Sequence, residues 1–179
     1  MNLKSYILMI KIIYFLLVVF LCTGFAYREP SYCKIVDCIT KSYLQEFANP
    51  RHLMLSGYGG AMMHDIQEIS LSFLSHDTLN VDEARILYVE MVEELLQRVN
   101  SHEQIRPHLH NFPFGIDNIK LDISFINSEG ATTKNGRVAF MYIGKNQDLL
   151  YRACNPDTEE FYSLHREPYA EARRIVTGK

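Results

Sequence analysis

Tryptophan is absent from this chain of 179 residues, and only four cysteines and six prolines are present. So few cysteines exclude a domain scaffolded by many disulfides, and without a Cys-x-x-Cys pair there is no zinc-finger spacing. Charge of one sign is also missing in quantity. Lys and Arg total 18 against 21 Asp and Glu, a formal net of −3, which excludes a polybasic nucleic-acid binder. At 47% hydrophobic and 22% charged, the composition is that of a folded globular protein and not of a disordered or collagen-like one. There is no internal repeat and no low-complexity tract.

Acidic residues are lacking altogether before Glu29, while Lys4 and Lys11 give this stretch a positive start. Residues 12–21 (IIYFLLVVFL) form an unbroken apolar run, and Gly24-Phe25-Ala26 places small residues at −3 and −1 of a cleavage point. Positive start, apolar middle and small-residue end are the three parts of a secretory signal peptide. The run is about half of the ~20 residues that span a bilayer. A retained anchor over residues 6–24 is the alternative, and it would bury the Lys11 charge in the apolar span. Lipidation of Cys22 is a third option, disfavoured by bulky Leu21 where a small residue is expected. The expected organisation is therefore a signal peptide at 1–26 and a single domain at 27–179. Without the leader the net charge is −5. A chain of that length buries roughly 68–70% of its unfolded surface, enough for a core without metal.

Within 31–48, apolar Tyr32, Ile35, Val36, Ile39, Tyr43, Leu44 and Phe47 recur in steps of three and four, an amphipathic helix that Asn49-Pro50 ends. After a short apolar run, Gly57-Tyr58-Gly59-Gly60 reads as a flexible turn or bulge. It is not a phosphate loop, because no Lys-Ser/Thr follows it. Ile69, Leu71 and Phe73 alternate with Glu68, Ser70 and Ser72, predicting a strand with one buried face. Asn80 and Glu83 form a capping box ahead of a helix over 81–100. Strands are predicted at 119–125, 137–143, 149–154 and 159–165, with a hairpin connection at 128–136, and Pro168 opens a short last helix. The expected class is α+β: an antiparallel meander of about 4–5 strands, with helices on one face. That order resembles the general plan of cystatin-like and nuclear-transport-factor-like domains, a plan that hosts many functions and implies none.

Chemistry is concentrated in residues 101–114 (SHEQIRPHLHNFPF), which hold His102, His108 and His110. Pro107 biases Arg106 toward extended backbone, and an extended His108-Leu109-His110 would turn two imidazoles to one side, as a zinc ion requires. Catalytic zinc needs a third ligand, from His102 or the His64-Asp65 pair, and spacing alone supplies none. A solvated histidine cluster is the simpler reading. Ser75, His76-Asp77 and His165 are the ingredients of a nucleophilic triad without a Gly-x-Ser-x-Gly elbow.

Tyrosine and phenylalanine are plentiful, at 11 and 10. Phe112, Phe114, Tyr142, Tyr151, Phe161 and Tyr162 are the candidates for a recognition surface, since aromatics are enriched at interfaces, with core filling as the competing role. Of the cysteines beyond the leader, Cys33 and Cys38 lie five apart on one helix, ~7.5 Å along its axis, too far to bond each other. Cys33 lies at the edge of the apolar stripe and Cys38 about 140° from its centre, so a Cys33–Cys154 disulfide is expected. Two functions follow. One is a non-enzymatic exported module that binds a protein or envelope component through a sheet face or the Phe112–Phe114 loop. The other is a metal-dependent hydrolase built on His108, His110 and a third ligand, with zinc as its cofactor. Neither nucleic acid nor membrane is an expected partner, beyond the leader itself.

Overall fold

A computed structural model describes residues 10–15, 30–127 and 136–178 of the chain. Residues 10–15 are helical and belong to a unit of their own, residues 1–30, separate from the unit that follows. The remainder of the leader, with its cleavage point and Cys22, lies outside the described residues, as does most of the 128–136 connection. Among the described residues no helix is long and apolar enough to cross a membrane.

The second unit is α+β. Helix α1 (Ser31–Tyr43) runs on through a wider turn, Leu44–Ala48, and a tight one, Asn49–Arg51. Strands β1 (Met54–Ala61) and β2 (Glu68–Ser75) follow, then the long helix α2 (Val81–Ser101). After a winding segment come β3 (Ile119–Phe125), β4 (Phe140–Ile143), β5 (Asp148–Cys154), β6 (Phe161–Pro168) and helix α3 (Tyr169–Thr177).

The strands form one sheet in the order β1-β2-β3-β4-β5-β6. It has six strands where the sequence predicted about 4–5. The additional one is β1, whose three glycines read as a turn. Its register slips between Leu55 and Gly57, so it is also a bulged strand. Four of the five pairings are antiparallel, but β2 and β3 run parallel. A parallel pair needs a long crossover, and α2 supplies it, so the sheet is not the simple meander expected.

The capping box that opens α2 is complete: Asn80 Oδ1 accepts from the Glu83 amide at 3.0 Å, and Glu83 Oε2 accepts from the Asn80 amide at 2.8 Å. Burial alternates residue by residue along β2, β3 and β5, so one sheet face is buried and the other is not. Ile69, Leu71, Phe73, Leu121, Ile123, Met141, Leu149 and Tyr151 make the buried face, and the helices pack there. Tyr43 of α1 lies 6.3 Å from the Phe73 ring, and its hydroxyl donates to the Met91 carbonyl of α2. Tyr88 of α2 donates to the Leu121 carbonyl of β3. Each buried phenol thus finds an acceptor, which lets it fill the core without an orphaned hydroxyl. Against α2, α3 is fixed by Tyr169 and Arg173, which both donate to Glu93 Oε1, at 3.0 and 2.8 Å.

Candidate functional site

The unburied face of the sheet is built in rows, because directly paired residues of neighbouring strands point the same way. One row runs Ser72, Asp122, Tyr142, Leu150, Arg166 from β2 to β6. The next runs Leu74, Ser124, Phe140, Arg152, Ser163. Toward β1 the face carries Gly57 against Ser72 and Gly59 against Ser70, with Met54 against Leu74 at the end of the strand. Toward β6 it carries Phe140, Tyr142, Leu150 and Phe161. The Phe140 and Tyr142 rings lie 5.3 Å apart.

Two hollows open on this aromatic half, with Tyr142 in the wall of both. One, of about 440 Å³, is lined by Ser124, Phe140, Tyr142, Arg152 and Phe161. The other, of about 550 Å³, extends past Leu150 and Arg166 to the 144–148 turn.

Among the described residues the charges of the strands are paired with one exception. Lys120 meets Glu68 at 2.7 Å, Arg166 meets Asp148, and Asp122 accepts from the Ser72 hydroxyl at 2.9 Å. Arg152 has no carboxylate partner among the described residues. Its terminal nitrogen donates to the Phe161 carbonyl at 3.0 Å, while its Nε is buried with no acceptor. A buried, unanswered guanidinium donor is costly and uncommon.

Of the aromatic residues singled out from the sequence, only Tyr142 and Phe161 come together, on the open face. Tyr151 points the other way into the core, at 0% exposure, and so presents no ring to a partner. Phe114 is also buried, its backbone held at both ends by the Asn100 side chain, at 2.7 Å to the amide and 2.9 Å to the carbonyl. Phe112 is exposed on the loop, under the Arg106 guanidinium at 5.1 Å. Tyr162 is exposed but pairs with Ala153 on the helix side. A bulge at Leu164 explains the shift of β6: Ser163 opposes Arg152 while His165 opposes Tyr151, so His165 joins the helix side instead of following Ser163. Phe140 and Arg152 were missed, although an arginine inside the apolar β5 sequence (DLLYRAC) is a visible signal.

The histidines are separated by local structure. Residues Arg106–His108 form a tight helical turn, not the extended run expected after Pro107, so His108 and His110 do not point together. His108 packs on the Tyr32 ring at 5.0 Å. His110 Nδ1 meets Asp65 Oδ2 at 2.6 Å, and this contact, with a second from Gln67, holds the Asp65 carboxyl below its ordinary range. His102 caps α2, its Nδ1 buried without a partner. Among the described residues no three His, Cys, Asp or Glu side chains are grouped to hold a metal ion. The Asp65–His110 pair has the form of an oriented base, yet no serine, threonine or cysteine hydrogen-bonds that imidazole among the described residues. Ser75 is buried and accepts from the Asp77 amide at 3.2 Å, a turn contact and not a triad.

Among the described residues Cys33, Cys38 and Cys154 form no disulfide, which corrects the expected Cys33–Cys154 bond. Cys33 lies close enough to Tyr58 of β1 to act on it electrostatically, whereas Cys154 ends β5. Four strand spacings of ~4.8 Å separate β1 from β5, about 19 Å, against a disulfide Cα separation of ~5.5–6 Å. Comparison with known proteins finds no family model, no characterised protein and no solved structure that matches this chain.

Proposed function

We propose that this protein is a non-enzymatic interaction module that holds an extended segment of a partner polypeptide on the open face of its sheet. One observation carries the reading: the helices all pack on one face, and the other gathers Phe140, Tyr142, Leu150 and Phe161 on one half beside the glycines and serines of β1 and β2 on the other. A solvated sheet face has no need of clustered aromatics. Rigid rings around a hollow give contact area at little entropic cost, as recognition surfaces do. The module is exported, by the leader of residues 1–26, and its partner is a protein or envelope component outside the cell.

A photo-crosslinking residue placed at Tyr142 and, as a control, at exposed Gln97 of α2 tests the surface in the producing cell. An adduct of defined mass is expected from position 142 alone. Adducts from both positions, or from Gln97 only, would remove the sheet face as the site. Mass analysis of the exported protein tests the leader, with Tyr27 expected as the first residue, and a chain beginning at Met1 or at lipidated Cys22 refutes cleavage there. Stoichiometric zinc that is lost on changing His108 and His110 to Ala would replace this reading with the hydrolase.

A further inference from the structure

The geometry points to Arg152 as the receptor for a single carboxylate, carried by an acidic residue of an extended peptide that places an apolar side chain two positions away. This rests on the open face being the binding surface and names what that surface selects.

Arg152 carries a charge that no carboxylate among the described residues answers. Its guanidinium lines the hollow with the Phe161 carbonyl as acceptor, while Arg166 in the adjoining row is neutralised by Asp148. Arginine presents its N–H groups in a flat fork that fits the two oxygens of a carboxylate. Ser124 lines the same hollow, and a serine hydroxyl is a neutral donor.

Charge then selects among anions. Among the described residues Arg152 is the only cationic side chain lining the hollow, with Ser124, Phe140, Tyr142 and Phe161 around it. One guanidinium balances one negative charge. A phosphomonoester carries about −1.5 to −2 at neutral pH and would leave charge uncompensated against three aromatic rings. A carboxylate does not.

Spacing sets the second residue. Arg152 and Leu150 are two positions apart on β5 and face the same way, in rows that hold Phe140 and Tyr142 respectively. Successive same-face residues of an extended chain lie ~6.6–6.8 Å apart in any strand. A peptide lying along β5 therefore delivers its acidic group to Arg152 and its i+2 side chain to the Tyr142–Leu150 hollow together.

Three blocked pentapeptides titrated into the isotope-labelled protein test this by amide and Arg side-chain NMR shifts. Acetyl-Ser-Glu-Ser-Phe-Ser-amide is expected to saturate and to shift residues 124, 140, 142, 150, 152 and 161. Replacing its Glu by Gln should weaken binding at least tenfold, about 1.4 kcal/mol. Replacing its Glu by phosphoserine should not improve on Glu. Arg152→Gln, checked for unchanged amide dispersion, should bind the Glu and Gln peptides alike. Equal binding of the Glu and Gln peptides to the unaltered protein overturns the carboxylate while leaving the face as the binding surface. Tighter binding of the phosphoserine peptide overturns the charge argument. Failure of all three peptides to bind overturns the ligand assignment, and the adduct from position 142 then judges the face independently.

Discussion

Arg85 of α2 donates its Nε–H to Oε1 of Glu167 on β6 at 2.8 Å, with the two residues only 9% and 7% exposed. The Tyr151 hydroxyl donates to the same oxygen at 2.6 Å, and Asp82 takes a second guanidinium proton at the mouth of the site. The pair ties the crossover helix to the far edge of the sheet, 82 residues away in sequence. Removing Arg85 leaves Glu167 charged and buried, and removing Glu167 leaves the buried Arg85 with Asp82 alone. Arg85→Ala and Glu167→Ala are each expected to cost about 3–5 kcal/mol in urea denaturation, while Arg85→Met with Glu167→Leu recovers most of that loss. A double variant no more stable than the singles would show that the pair is itself a net source of stability.

Gly60 and Gly59 of β1 are neighbours with opposite tolerance. A Cβ built at Gly60, whose φ is +156°, would stand 2.1 Å from the Glu68 carbonyl oxygen, whereas one at Gly59 meets nothing within 4 Å. Gly60→Ala should therefore destabilise by at least about 1–3 kcal/mol, the cost of a strained backbone position. Gly59→Ala should fall within about 0.5 kcal/mol of the parent, as surface substitutions do. Thermal melts of the two variants check the contrast.

Burial raises the phenols of Tyr43, Tyr88, Tyr151 and Tyr169 above their ordinary value of 10.0. Since the folded value lies above the unfolded one, their contribution to stability is whole below the unfolded value and is lost as pH rises toward the folded one. Alkaline titration should show these four phenolates appearing only with unfolding, in a slow step after the exposed tyrosines. Reversible, rapid ionisation of all tyrosines would contradict their burial.

Non-reducing peptide mapping should recover Cys33, Cys38 and Cys154 unlinked, with exposed Cys38 alkylated before buried Cys154. A Cys33–Cys154 crosslink would require α1 and the end of β5 to meet.

Much of the secondary structure was legible in the chain because its causes are local. Asn80 and Glu83 lie within one turn, so the capping box that starts α2 could be read directly. The alternation of Ile119, Leu121, Ile123 and Phe125 announced β3, and the same pattern in residues 69–73 announced β2. Nothing in either strand announced that they run parallel, because direction depends on how α2 returns the chain across the sheet. β1 was hidden by glycines that suit a turn as well as a bulged edge.

The candidate site divides in the same way. Strand periodicity could place Tyr142 on a face, but could not say that its face is open while that of Tyr151 is covered by helices. Arg152 differs from Arg166 only in what neighbouring strands set beside it, a lone aromatic hollow in one case and Asp148 in the other. The sequence by itself determined where helices and strands begin, and which side chains share a strand face, since caps and periodicity act over a few bonds. Which face the helices cover, which thiols stay apart and which arginine is left without a carboxylate were decided by the tertiary structure, because each depends on contacts between segments distant along the chain.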